Sequence, residues 1–98
     1  MRLTPAQRMF LKAQAHALKP VVIIGNAGLS EAVLAEIERA LAAHELIKVR
    51  VQNDDRAVRK TWLAGICERL DCGAVQHLGK LLLLYRPADP ARLKLPAD

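Results

Sequence analysis

Along this chain the spacing of apolar residues switches repeatedly between a period near 3.6 and runs of period 2 or less, which predicts alternating helices and short strands. Thr4-Pro5-Ala6-Gln7 supplies an N-cap, a proline at N1 and a capping-box glutamine, so a first helix starts there. Its predicted apolar face is Ala6, Phe10, Ala13 and Ala17, with Arg8, Lys12 and His16 stacked on another face toward water. Val21 to Ile24 is an unbroken β-branched run and reads as a short strand covered on both faces. A second helix is expected from Glu31 to His44, burying Val33, Leu34, Ile37 and Leu41 with Ala40 beside them. Leu46 to Val51 alternates, with Ile47, Val49 and Val51 on one side and Lys48 and Arg50 on an open one. Asn53 to Asp55 serve as turn and N-cap for a third helix ending near Leu70, with Val58, Trp62, Ile66 and Leu70 buried and Leu63 at the edge. Ala74–Leu78 and Leu81–Tyr85 form a tight hairpin around Gly79-Lys80, and the proline-broken residues 88–98 form a tail after a domain spanning 1–87.

The order is therefore α-β-α-β-α-β-β, a single α/β domain. A strand-helix-strand unit between 21 and 51 implies a parallel crossover, and the hairpin makes the sheet mixed. Lys48 and Arg50 suggest helices on one face of the sheet and an open opposite face. The stretch joining the first strand to the second helix carries the most chemistry. Gly25-Asn26-Ala27-Gly28 is a GxxG loop whose glycines tolerate φ > 0 and leave no side chain between backbone and ligand. Ser30 reads as the N-cap of the helix behind it, whose free N–H groups and dipole favour a phosphate, while Glu31 displaces that phosphate from the helix axis. The pattern by itself also suits an ordinary strand-to-helix turn.

Charge alters that balance. The 98 residues carry a net charge of +5, and residues 1–30 contain Arg2, Arg8, Lys12 and Lys19 with no acid. Four glutamates against the single Arg39 leave residues 31–45 at −3, so the charge is sorted along the chain. A basic, sorted surface suits a polyanion. Hydrophobic residues make up 52% and aromatics 3%, so the core must be aliphatic and base-stacking platforms are scarce; Trp62 is assigned to the core. Cys67 and Cys72, with no second pair and no nearby His, suit reduced thiols better than a disulfide or a zinc site, and no metal or cofactor is expected. With neither a membrane-length apolar run nor an apolar signal core, the expectation is a cytoplasmic protein without membrane contact, and a monomer.

Several spaced motifs resemble the CRM domain family in its small, stand-alone bacterial YhbY-like form. They are Leu18-Lys19-Pro20-Val21-Val22, Gly25-Asn26-Ala27-Gly28-Leu29-Ser30, Leu34-Ala35-Glu36-Ile37-Glu38, His44-Glu45-Leu46-Ile47-Lys48-Val49, and Gly79-Lys80 leading to Leu84-Tyr85-Arg86-Pro87. The resemblance runs from the start of the first helix to about Pro96, with Ser30 where the family often has Thr. It implies a four-stranded mixed sheet with three helices, similar to the C-terminal domain of translation initiation factor three. It also implies RNA binding and association with precursors of the large (50S) ribosomal subunit, with the GxxG loop at Gly25–Gly28 and the family's strand lysine at Lys48.

The expected function is a noncatalytic RNA-binding module in ribosome biogenesis. The backbone of Gly25, Asn26, Ala27 and Gly28 would hold the sugar-phosphate chain, while Arg8, Lys12, Lys19, Lys48 and Arg50 supply charge. The expected partner is large-subunit ribosomal RNA in pre-50S particles, with a basic ribosomal protein as a further candidate. The alternative is a protein-interaction adaptor working through the acidic face of the second helix. An enzyme is disfavoured because the loop lacks the Lys-Ser/Thr pair of a P-loop and no nucleophile-base or paired-carboxylate set stands out.

Overall fold

A computed structural model describes residues 1–97; Asp98, the last residue of the expected tail, lies outside the described residues. The elements are α1 (Pro5–Ala15), β1 (Pro20–Ile24), α2 (Glu31–His44), β2 (Leu46–Val51), α3 (Arg56–Leu70), β3 (Gly73–Leu78) and β4 (Leu81–Tyr85). The expected order and the mixed four-stranded sheet are what the structure shows, with strands arranged β1-β2-β4-β3. β1 runs parallel to β2, and the other two pairings are antiparallel.

Local chemistry accounts for the boundaries. Thr4 Oγ1 accepts from Gln7 N–H while Gln7 Oε1 accepts from Thr4 N–H, each at 3.1 Å, which completes the capping box of α1. Ser30 caps α2 through Val33 N–H, and the Asp55 carboxylate caps α3 through Ala57 and Val58 N–H. α3 ends at Asp71 in the left-handed region.

The sheet separates two cores. On one face Val22, Ile24, Ile47, Val49, Val51, Leu82 and Leu84 pack against α2 and α3 through Leu34, Ile37, Leu41 and Ile66. On the other, Leu46, Val75, Leu83 and Tyr85 pack against Leu3, Leu11 and Ala15. That second core corrects the expectation of an open face: α1 lies on it, across β2, β3 and β4. The expected face of α1 is corrected as well. Ala13 and Ala17 are exposed, and the buried residues of α1 are Leu11 and Ala15 at spacing four, with Phe10 of the expected face half-buried beside them, because the larger apolar side chains Leu11 and Phe10 set which side of the helix meets the core.

β1 is not covered on both faces. It is an edge strand beyond the reach of α1, so Val21 is 51% and Ile23 53% exposed while Val22 and Ile24 are buried. In α3 only Ile66 of the expected stripe is fully buried; Val58, Trp62 and Leu70 are half-buried. Arg59, one of the three basic residues Arg56, Arg59 and Lys60 near the start of α3, is buried, while the other two are exposed.

Residues 88–97 contain no helix or strand, yet they fold back onto the domain. Leu93 and Leu95 pack on the second core, and the buried Glu45 carboxylate accepts from the N–H groups of Ala88, Arg92 and Leu93. Burial alone would push the Glu45 carboxyl up, but these three donors and the neighbouring Arg92 charge outweigh it and hold it below the usual carboxylate range.

Candidate nucleic-acid interface

The GxxG loop leaves the carboxyl end of β1 as a tight turn. Gly28 N–H donates to Gly25 O at 3.1 Å, and Ser30 N–H to Gly28 O at 2.9 Å. Gly28 has φ +72°, and a Cβ there would lie 3.0 Å from Trp62 Cζ2. Glycine is thus required twice over, by the backbone and by the indole beneath. Gly25 does not share that requirement: its φ is not positive, and a Cβ would meet only Gln52 Oε1 at 3.7 Å. Asn26 and Ala27 are exposed at the tip, and among the described hydrogen bonds none engages their N–H groups or those of Glu31 and Ala32. Those donors are free to meet an anion.

The floor under the loop is built from the β2–α3 connection. Gln52 N–H donates to Ile24 O at 2.8 Å, extending the parallel pairing past the strand ends. Arg59 holds the next residue from below, its Nη1 donating to Asn53 O at 2.8 Å and its Nε to His77 Nε2 at 3.2 Å. Burial, and then the positive charges of Arg56 and Arg59, hold the His77 ring below the ordinary histidine range, in keeping with a neutral ring that accepts from Arg59. Neither Arg59 nor His77 was assigned this role from sequence, because an arginine among Arg56, Arg59 and Lys60 carries no local sign that it turns inward.

The basic residues expected at the site do not converge on one point. Arg50 is nearest the loop: it pairs with Ile23, two residues before Gly25 and so about 7 Å away along β1. It is exposed, with no ion pair among the described residues. Lys48 pairs with Pro20 at the other end of β1, roughly 16 Å from the loop, and its Nζ donates to Leu18 O at 2.9 Å. The exposed Lys19 is at the same end. Lys12 is exposed on α1. Arg8 is drawn to the start of α1, where Nη1 donates to Leu3 O at 3.0 Å, and Leu3 packs at Gly73 on β3, the far edge of the sheet. Lys48 and Arg50 share the sheet face on which α1 lies, and the loop sits at the corner where that face meets the end of β1.

The acidic face of α2 is not the free surface expected for an adaptor. Glu31 pairs with Arg69 at 2.8 Å, Glu38 accepts from both Nη1 and Nη2 of Arg86, and Glu45 is buried. Three of the four glutamates therefore have partners within the chain, although the Glu31–Arg69 pair lies exposed at the surface. Their partners come from α3, the end of β4 and the C-terminal segment, which the charge tally of residues 31–45 leaves out. Among the described residues no three His, Cys, Asp or Glu side chains converge as metal ligands, and no helix is long and apolar enough to cross a membrane. Cys67 and Cys72 are free thiols, half-buried and buried.

Known proteins share both sequence and fold. An RNA-binding protein of Haemophilus influenzae is 47% identical over 94 residues, covering 96% of this chain and 95% of that one. A Pseudomonas aeruginosa protein bearing the name "Probable RNA-binding protein" is 45% identical, covering 88% of this chain and 83% of its own length. A solution structure from Staphylococcus aureus superposes with a TM-score of 0.85 at 29% identity, covering 97% of this chain and all of that one. The CRS1/YhbY (CRM) domain matches residues 3–86, and the chain belongs to that family.

Proposed function

We propose that this protein is a noncatalytic, cytoplasmic RNA-binding module that acts on large-subunit ribosomal RNA during assembly of the 50S particle. The observation that carries the reading is the Gly25–Gly28 turn: unengaged backbone donors at an exposed tip, held rigid by Trp62 and the Arg59-braced connection, with Arg50 two residues behind. Such a turn can take a phosphate against its backbone without rearrangement, which limits the entropic cost of binding. Lys12, Lys19 and Lys48 along the α1 face would then follow the phosphate chain away from the clamp, and Arg8 would extend the track. Relatives named as RNA-binding support the class of ligand. The large subunit is selected by family resemblance: a small domain with few stacking groups gains specificity from a large folded target.

Replacing Asn26 and Ala27 together with Asp tests the clamp. RNA affinity should fall at least about tenfold with little change in melting temperature, because both side chains lie outside the core. Unchanged affinity in the folded variant would remove the loop from the mechanism. For the target, sucrose-gradient fractionation of lysates at low magnesium should place the protein with large-subunit precursors rather than with mature ribosomes. Migration at the top of the gradient, or with the small subunit, would refute the assembly role.

A further inference from the structure

Beside the loop, the sheet face carrying α1 is left uncovered along one complete row. Ile23 on β1 pairs with Arg50 on β2, Arg50 with Leu81 on β4, and Leu81 with Leu78 on β3. Directly paired residues share a face, so these four side chains line up across all four strands. They are not core: Ile23 is 53% and Leu78 54% exposed, Arg50 is exposed, and Leu81 is half-buried against the edge of the second core. Exposed apolar residues on either side of a guanidinium with no ion pair among the described residues, on a face where the second core takes in Leu46, Val75, Leu83 and Tyr85 but not this row, suit an occupant that is apolar on its faces and anionic at its edge.

Resting on the RNA-binding reading above, we infer that this row is a base-binding platform, on which the bases next to the phosphate held at Gly25–Gly28 lie against Ile23, Leu81 and Leu78 with Arg50 among them. Size distinguishes bases from a protein partner. Three strand spacings of about 4.8 Å make the row roughly 14 Å long, and a width of one or two residues gives an area on the order of 100 Å². A specific protein interface needs about 800 Å² from each partner, whereas this strip suits two or three bases. Arg50 suits both parts of a nucleotide, since a guanidinium plane stacks on a base and its edge forks onto a phosphate. The acid bordering this end, Asp54, is ion-paired with Lys80 and so does not oppose an anion there. Continuity is direct: Ile23 stands two residues before Gly25, so a strand leaving the clamp meets the row at once.

The test uses the whole chain and two single-stranded RNA probes of equal length, oligouridylate and the same oligomer with central nucleotides made abasic. The wild type should bind the intact probe about fivefold or more tightly than the abasic one. The Ile23→Thr/Leu78→Thr variant, β-branched and half-exposed at both sites so that the strands are kept, should lose that preference while its salt dependence stays unchanged, because apolar contacts release no counterions. The Asn26→Asp/Ala27→Asp variant should weaken both probes alike, which reports on the clamp separately. Equal wild-type affinity for the two probes, or a Thr variant that keeps the preference, would overturn the platform and leave the clamp standing. A Thr variant with normal RNA affinity that no longer joins large-subunit precursors would overturn it too, and assign the row to a protein contact. If Ile23→Thr/Leu78→Thr fails to fold, crosslinking of 4-thiouridine-substituted probe to the wild type decides: adducts within 21–24 or 78–82 support the platform, and adducts elsewhere refute it.

Discussion

Gly28 and Gly25 look equivalent in the motif and are not equivalent in the molecule. Gly28 pairs a left-handed φ of +72° with an indole carbon 3.0 Å from where a Cβ would sit, while Gly25 has an ordinary φ and open surroundings. Gly28→Ala should therefore cost about 1–2 kcal/mol and lower the melting temperature by roughly 5–10 °C. Gly25→Ala should leave stability nearly unchanged, so any loss of RNA affinity in it reports on backbone access alone. Thermal unfolding of the two variants side by side checks this; equal destabilisation would contradict the assigned difference. Glu45 is the other residue whose conformation matters. It adopts φ 62°, ψ −55°, a sparsely populated region, and its carboxylate gathers three backbone donors from the C-terminal segment. Glu45→Ala should destabilise by about 2–3 kcal/mol and expose residues 88–97 to limited proteolysis.

At the scale of elements, three groups packed where helices meet the sheet make stability sensitive to acid. His77 on β3 is held below its ordinary value of 6.5, and Glu38 and Glu45, within and at the end of α2, below theirs of 4.5. For Glu38 the leading cause is the hydrogen bond from Arg86, which also donates to Leu70 O and so ties β4 to both α2 and α3. All three groups bind protons more weakly in the folded state than in the unfolded one. Their stabilisation is complete above the unfolded values and is lost as pH falls. Stability should thus decline in two stages, a small one below about 6.5 as His77 is forced to protonate, and a larger one below about 4.5 as the carboxylates do. Denaturant unfolding across pH reads both stages. In His77→Gln the first should disappear while the second remains, and a first stage that persists would mean another group is responsible.

For the molecule as a whole, the two sheet faces divide the work. α2 and α3 make the larger core, and the α2 acids find partners on α3, at the end of β4 and in the C-terminal segment, whereas the α1 face carries Lys12, Lys19 and Arg50 exposed and meets the loop at one corner. If Lys12, Lys19, Lys48 and Arg50 each neutralise a phosphate and Arg8 does so only in part, log affinity for single-stranded RNA should fall with log salt at a slope of about −3. Arg50→Ala should reduce that slope by about 0.7, being closest to the clamp. Arg8→Ala should reduce it less, since its guanidinium is committed to Leu3 O at the far edge of the sheet. Binding titrations over a range of salt check both. Equal effects would mean that the RNA spans the whole α1 face.

The sequence by itself determined the parts of this protein that depend on near neighbours. Caps at Thr4, Ser30 and Asp55, the period of two in Leu46–Val51 and the Gly79-Lys80 turn each act within a few residues, so element order, boundaries and the mixed sheet were legible, and the spaced motifs marked the family. The loop was legible as a GxxG turn, but not its support, because Trp62 reaches Gly28 from more than thirty residues along the chain and Arg59 acts only through the β2–α3 connection, on Asn53 O. Tertiary structure decided which apolar residues were interior. Val21 and Ile23 match Val22 and Ile24 in hydrophobicity, and only the edge position of β1 and the placement of α1 over the other strands leave them exposed. It decided the fate of charge in the same way. Glu31, Glu38 and Glu45 read as an acidic surface until Arg69, Arg86 and the amides of residues 88–93 fold onto them, since a charge count follows the chain while electrostatic energy follows distance in space.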